Sequence, residues 1–427
     1  MARTIQTVLR VNALAGAAAI VFNSGVANWQ VTPVQIDDDL HVDFTEVITL
    51  GTAGVIRVWS YGDNGYEQVE AIDVTAAGGG PGTASVAGTR LIIRLTDPMV
   101  QLLDYAITID REAINEFDGV ASVDTLTFRT DVGFDPASIS LDPADYDHVF
   151  IDQTFSNANG IPLDLQDLNN VLVLRCRVAS LGVDNDGDLF GDTGIRLQNC
   201  TNVVIYDCDI EDVYKFGIQL SDSDDNASDQ VYILSNRFNN VYSDGIQVPK
   251  DVQAGEDNTN VVIWGNRLDD VAKLDPGSGK HGIYVQGSDF IIGKNTIIDM
   301  DIDANGISVR SSGIVFDNFV RMSSLRGNNA GSALKYFSDH ATGPSRTLII
   351  ADNDLDGAPL VFSGIELDRT NSNQGSIPDD QWVISRAYLL RNQIGPNVQN
   401  PVIIDDALED LGFFSAIRYD TAPGVAA

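Results

Sequence analysis

"VVIYDCDI", residues Val203 to Ile210, opens on an apolar run, breaks at Asp207-Cys208 and returns to an apolar residue. The same spacing, apolar-x-apolar-x-x-(Cys or Asn)-x-apolar, recurs as "VLVLRCRV" from Val171, "VYILSNRF" from Val231 and "VVIWGNRL" from Val261. It recurs again as "FIIGKNTI" from Phe290, "LIIADNDL" from Leu348 and "AYLLRNQI" from Ala387. A second unit, Gly-Ile, alternates with it at Gly160, Gly194, Gly217, Gly245, Gly282, Gly306 and Gly364. One cycle takes roughly 23 to 37 residues, the length of a solenoid coil. A coil cannot bury its own apolar side, but stacked coils bury it around a continuous core. The pattern predicts a right-handed parallel β-helix over 147–406, in an all-β chain.

The Cys/Asn column falls at Cys176, Cys208, Asn236, Asn266, Asn295, Asn353 and Asn392. An inward asparagine at a turn can bond to its neighbours above and below and to bends that lack ladder partners. Cysteine in that column reads as a small buried residue, not a metal ligand or half a disulfide. Cys200 has no partner visible in the sequence. Two coils read as irregular: "SGIVFDNFV" near Ile314 is taken as displaced by a residue, and "GSALKYF" replaces Gly-Ile near Leu334. Taken together, the repeat resembles the pectate-lyase-like β-helix superfamily over about 147 to 406.

Upstream, "HVDFTEVITL", "GVIRVWSYG", "TRLIIRLTD" and "YAITIDREAI" alternate as half-buried strands do, with turn clusters "YGDNGY" and "AAGGGPGT" between them. Residues 28–133 therefore read as a small antiparallel sandwich. The order "VDFTEVI", "MVQLLDYAITIDREAINEFDGVAS" and "DTLTFRT" resembles the Ig-like domain first described in bacterial S-layer proteins. That resemblance implies a spacer or presenting module and no catalysis. Residues 134–146, with Pro136 and Pro143, read as a linker, and 407–427 as a C-terminal cap or tail. Residues 1–27 read as an arm or strand; "VNALAGAAAIVF" behind Arg3 and Arg10 also has the outline of a secretion signal.

The 427 residues carry 61 Asp and Glu against 26 Lys and Arg, a net charge of -35. Such a surface repels nucleic acid and anionic membranes, so neither is expected as a main partner. No stretch reaches the ~20 apolar residues that cross a bilayer, so membrane insertion is not expected. Three cysteines make no disulfide framework.

Chemistry is sought on the outward columns of the solenoid, where the residue before Gly-Ile and alternate positions after it are expected to face solvent. At ~4.8 Å per coil, Asp244, Lys280, His281, Tyr284 and Arg310 would form one contiguous patch. These are the candidate catalytic residues, with Gln247, Gln286 and Lys335 as candidate substrate-binding residues. A polysaccharide lyase needs a base beside a uronate carboxylate and a cation to neutralise it, which these residue types supply. A hydrolase needs two carboxylates across the scissile bond, and only Asp244 is placed for that. The bland alternative is an exposed sheet face with no ligand. "GSGKHGIYV" resembles the glycine-histidine-glycine element of β-helix polygalacturonases, but their aspartate pair and Arg-x-Lys element are missing.

"DNDGDLFGD", Asp184 to Asp192, fails as an EF-hand, since Leu189 stands where the turn needs glycine. It is similar to thrombospondin type 3 calcium repeats, with Asp184, Asp186, Asp188 and Asp192 as candidate calcium ligands; a solvated acidic loop is the alternative. Bound calcium would be structural. In "ADNDLDG", by contrast, Asn353 and Leu355 belong to interior columns, so its aspartates read as outward strand residues.

Three functions remain open on the sequence: a glycan-recognising surface protein (a virion spike or fibre, or a bacterial adhesin), a secreted polysaccharide lyase or hydrolase, and a spacer without ligand. The first leads, with a polysaccharide or cell-surface glycan as partner and an extracellular, cell-surface or virion location. By analogy of fold alone, a homotrimer is its expected assembly.

Overall fold

The computed structural model describes most of residues 39–405, together with strands at Thr7–Val8 and Ile20–Phe22. The positions left aside are 45, 63–64, 77–80, 98, 158–159, 180–192, 221–226, 250–257, 273–279, 301–303, 323–330, 339–346, 358–362, 369–383 and 385, besides both ends. The chain divides into two units, Met1–Asp135 and Pro136–Ala427.

The first unit holds two antiparallel sheets. One orders the strands Thr7–Val8, Ile20–Phe22, Leu40–Phe44, Arg90–Arg94 and Thr83–Ala87; the other orders Gly65–Asp73, Val55–Gly62, Asp104–Ile109 and Thr127–Arg129. Period-2 alternation sets their faces: Leu91 and Ile93 are buried between half-buried Arg90, Ile92 and Arg94. Inside, the Phe44 and Phe117 rings meet edge to face at 5.2 Å.

The second unit is built from three parallel sheets of nine strands, in which each strand pairs with its counterpart one coil away. The first sheet runs from His148–Ile151 to Arg386–Leu390, the second from Thr154–Ser156 to Gln393–Ile394, and the third from Leu163–Gln166 to Asn400–Ile404. Val173, Ile205, Ile233, Ile263 and Ile292 stack in register along the core.

The turn between the first and second sheets follows one rule in every coil. Arg175, Asp207, Ser235, Gly265, Lys294, Asp317, Asp352 and Arg391 all take a left-handed conformation, with φ between 50° and 68°. That conformation costs a non-glycine residue about 1 kcal/mol. The next residue offsets it. The Asn236 backbone N–H donates to Asn266 Oδ1 at 2.9 Å, and its Nδ2 donates to Asn266 Oδ1 and to the Ile205 carbonyl, both at 3.0 Å. Asn266 repeats this toward Asn295, Asn295 toward Asn318, Asn318 toward Asn353, and Asn353 toward Asn392.

Asn318 corrects the sequence reading. "VFDNFV" keeps the spacing of its neighbours: Gly313–Phe316 is in register with Phe290–Gly293 and Asn318 takes its place in the ladder, while the shift in this coil falls later, opposite Ile298 and Met300. At the other end Cys208 Sγ accepts the Cys176 N–H at 3.3 Å, and both thiols are free and buried. Cys200 starts a shorter ladder of its own: its N–H donates to Ser228 Oγ at 3.1 Å, and the Ser228 N–H donates to Asn258 Oδ1 at 2.7 Å.

Gly-Ile has an equally concrete cause. A Cβ on Gly217 or Gly245 would lie 2.5 or 2.7 Å from the carbonyl oxygen of the glycine one coil on. Only glycine lets the strands approach so closely. In "ADNDLDG", Asn353 and Leu355 are interior and Asp352 pairs with Arg391 at 2.8 Å.

Residues 136–146 form two short 3-10 turns within the second unit. Ile139, Leu141 and Tyr146 pack on Leu172, Leu174 and Val204, the outward side of the first sheet.

Candidate functional site

The third sheet carries one outward side chain per coil in strict register: Arg196, Gln219, Gln247, Tyr284, Ser308, Lys335 and Glu366. Beside this column, His281 pairs with Asn305. The expectation that these columns face open solvent does not hold. Asp244 is 3% exposed, His281 5% and Arg310 8%, because side chains from adjacent coils stack over one another. Between them lies a concavity of about 290 Å3.

All five candidate catalytic residues line it: Asp244, Lys280, His281, Tyr284 and Arg310. Gln247 and Lys335 of the substrate-binding set join them. Gln286 is not among the lining residues; its Nε2 donates to the Tyr284 hydroxyl at 2.5 Å and fixes that oxygen. Asn305, Phe216 and Phe337 complete the wall, and their roles were not foreseen. Asp184, Asp186, Asp188 and Asp192 lie outside the described residues, so the calcium expectation cannot be placed on this frame. Among the described residues no group of three His, Cys, Asp or Glu side chains could hold a metal.

Asn305 decides the state of His281. Its Oδ1 accepts the Ser332 N–H at 2.9 Å, which leaves its Nδ2 facing His281 Nδ1 at 3.2 Å. Nδ1 is therefore the acceptor, and the neutral ring carries its proton on Nε2. Burial, followed by the charges of Arg310, Lys280 and Lys335, holds the imidazole well below its ordinary range. His281 thus presents an N–H donor, stacked on the Tyr284 ring at 4.6 Å.

Asp244 Oδ1 accepts the His281 backbone N–H at 2.7 Å. Burial pushes this carboxyl up to about 7, against the opposing pull of that N–H and of Lys280 and Arg310. It is the single carboxylate among the described lining residues. An acid raised from 3.8 to about 7 is harder to ionise folded than unfolded. Its penalty builds as pH rises above 3.8 and is complete above about 7. At ~1.4 kcal/mol per pH unit the full penalty is about 4 kcal/mol. Asp244→Asn keeps the acceptor for His281, so it should raise the unfolding free energy by up to about that amount at pH 8 and leave it unchanged near pH 4. Denaturant titrations at the two pH values test this; equal effects at both would refute the assignment. The His281 penalty has the opposite sense and grows as pH falls below its ordinary 6.5.

Arg310 is held between two rings, its guanidinium carbon 5.0 Å from the Tyr284 centroid and 4.3 Å from that of Phe337. Stacking of this kind restricts the orientation of the guanidinium. Lys335 differs: its Nζ bonds Glu366 Oε1 at 2.8 Å and Asp368 Oδ2 at 3.0 Å. Toward the N-terminal coils, Gln219 Nε2 donates to Gln247 Oε1 at 2.8 Å, and Arg196 pairs with Asp164 at 2.6 Å.

Comparison with known proteins follows the same lines. The family model "Right handed beta helix region" matches residues 133–273. The solenoid is a right-handed parallel β-helix. No curated protein matches the chain. Among solved structures, the β-helix chain is similar to the A-module of the mannuronan C-5 epimerase AlgE4 of Azotobacter vinelandii, at 14% identity with a TM-score of 0.35. That likeness covers 57% of this chain and 60% of the module, so the chain spans less than two thirds of its length. It is also similar to the Pseudomonas phage phi297 tailspike gp61, at 14% identity over 88% of this chain and 56% of that one, with a TM-score of 0.28. A third is the catalytic domain of a GH87 α-1,3-glucanase in complex with nigerose, at 10% identity over 98% and 97%, with a TM-score of 0.34. Likenesses this distant assign no activity to the chain.

Proposed function

We propose that this β-helix is a glycan-recognising surface protein, a virion spike or fibre or a bacterial adhesin, and that its cavity seats an acidic sugar. The observation that carries this reading is Arg310, a buried guanidinium held flat between Tyr284 and Phe337 at the wall of a sugar-sized concavity. A guanidinium donates charge-assisted hydrogen bonds to a carboxylate, and stacking holds its orientation. Aromatic rings and the Gln219–Gln247 amides supply what hydroxylated rings require. Support for binding over hydrolysis comes from the described lining residues, which hold one carboxylate where hydrolysis takes two. An Ig-like identity for the antiparallel unit, a homotrimeric assembly and an extracellular setting belong to the same proposal.

The second reading, a polysaccharide lyase, is favoured by Asp244, whose carboxyl near 7 could exchange a proton at neutral pH. Calorimetric titration with acidic oligosaccharides and their carboxyl-reduced counterparts, alongside absorbance near ~232 nm and reducing-end assays, separates the two. Binding that needs the carboxylate, without turnover, is the expected result. Unsaturated product that disappears in Asp244→Asn would replace it with the lyase.

A further inference from the structure

Of the polar groups of His281, all but one are taken. Its backbone N–H donates to Asp244 Oδ1 at 2.7 Å, and its carbonyl accepts the Gly245 N–H at 3.2 Å. Its Nδ1 accepts from Asn305 Nδ2 at 3.2 Å. What is left is Nε2, which carries the ring proton. No described residue accepts that proton, although His281 is 5% exposed. A donor held without an acceptor in so enclosed a place weakens the fold, so its retention calls for a function.

The Nδ1 edge of the ring is turned to Asn305, one face lies over the Tyr284 ring at 4.6 Å, and His281 lines the concavity. The edge that the imidazole has left to present there is the one with Nε2. Asn305 sets which nitrogen holds the hydrogen. Its own N–H donates to the Lys280 carbonyl at 3.0 Å, and its Oδ1 accepts the Ser332 N–H at 2.9 Å. A backbone N–H can only donate, so the Asn305 amide cannot turn over. The polarity fixed at Ser332 therefore passes through Asn305 to Nδ1, and from there to Nε2. The line runs through His281–Val285, Asn305–Val309 and Ser332–Phe337, successive strands of the third sheet. It also takes the role of base away from His281, because the nitrogen able to accept a proton faces Asn305.

We propose that His281 donates its Nε2–H to an oxygen of the bound sugar, and that Asn305 is the positioning residue that keeps His281 a donor. This role rests on the cavity being an acidic-sugar site. Within that site it assigns the direction of one hydrogen bond: the sugar presents an acceptor oxygen to His281.

The test uses the full chain, isotope-labelled at histidine and followed by nitrogen NMR, with His281 assigned by the loss of its signals in His281→Gln. The probes are a trisaccharide of glucuronate between N-acetylglucosamines and a triuronate, each also titrated calorimetrically. The parent is expected to carry its His281 proton on Nε2, and the tighter-binding probe should shift that resonance and slow its exchange with water. His281→Leu should lose ~10-fold or more in affinity, about the worth of one hydrogen bond. His281→Gln returns an N–H near the place of Nε2 and should recover part of that loss. Asn305→Asp keeps an acceptor for Ser332 but turns an oxygen toward Nδ1. At a pH where its ring is singly protonated, the proton should sit on Nδ1, and affinity should fall. A thermal melt matching the parent's shows each variant to be folded, and the parent's own spectra need no variant. A proton on Nδ1 in the parent, an Nε2–H resonance unmoved by a bound probe, or unchanged affinity in folded His281→Leu overturns the donor role and leaves the acidic-sugar site standing. Binding of neither probe overturns the acidic-sugar site, and the donor role with it.

Discussion

Replacing Asn266 with alanine should cost the β-helix about 2 to 6 kcal/mol of unfolding free energy. The side chain is buried and sits mid-ladder. Its Oδ1 accepts both the backbone N–H and the Nδ2 of Asn236, and its Nδ2 donates to the Ile233 carbonyl and to Asn295 Oδ1. Alanine leaves the Asn236 N–H and the Ile233 carbonyl buried with nothing in reach, and each stranded group costs about 1 to 3 kcal/mol. Leucine should do no better, because the loss is of polar partners and not of volume. Asn266→Cys is the informative control. Cys208 fills the same position two coils earlier, and its sulfur accepts the Cys176 N–H at 3.3 Å. The thiol variant should therefore keep part of the ladder and lose about half as much as alanine. Urea titrations with an unchanged slope give the comparison. A loss below about 1 kcal/mol for alanine would mean that the ladder is not a source of stability.

Arg310→Met should weaken binding of an acidic oligosaccharide by about 30-fold or more, corresponding to ~2 kcal/mol or more, the low end for truncating one member of a buried charge pair. Methionine keeps most of the packing between Tyr284 and Phe337, so the loss reports the guanidinium itself. Arg310→Lys should recover only part of the affinity, because an ammonium neither stacks as a plane nor bonds a carboxylate through two parallel N–H groups. The same change has a second readout. Arg310 is one of the charges that lower both groups, acting against the larger effect of burial at Asp244 and alongside it at His281. Its removal should move the Asp244 carboxyl further up and the His281 imidazole back toward its ordinary range. NMR titration follows both. Unchanged affinity with both titrations shifted would place Arg310 in the wall but not on the ligand.

Much of this frame was legible before any coordinate, because a solenoid writes its core once per coil. Gly-Ile and the Cys/Asn column repeat for steric and hydrogen-bonding reasons that act on every coil alike, so their spacing carries the fold. Asn318 escaped because Gly313 stands where the other coils open the pattern on a larger apolar residue. The membership of the cavity was legible for the same reason: in-register columns bring Asp244, Lys280, His281, Tyr284 and Arg310 together. Their chemistry was not. The tautomer of His281 depends on Asn305, whose own orientation depends on a backbone N–H at Ser332. Burial of outward residues depends on how neighbouring rings overlap. The pairing of Lys335 could have been found, since Glu366 follows it in the same column one coil on.

The cysteines give the molecule a use that its asparagines do not. Cys176, Cys200 and Cys208 are buried thiols, and all three belong to the N-terminal coils of the solenoid. An alkylating reagent reaches such a sulfur only when its coil opens, so the labelling rate measures opening free energy at that end alone. The coils from Asn236 to Asn392 hold amides in the same ladder and stay silent to the reagent. Without any engineered probe, the native chain thus reports how readily the N-terminal end of its solenoid frays.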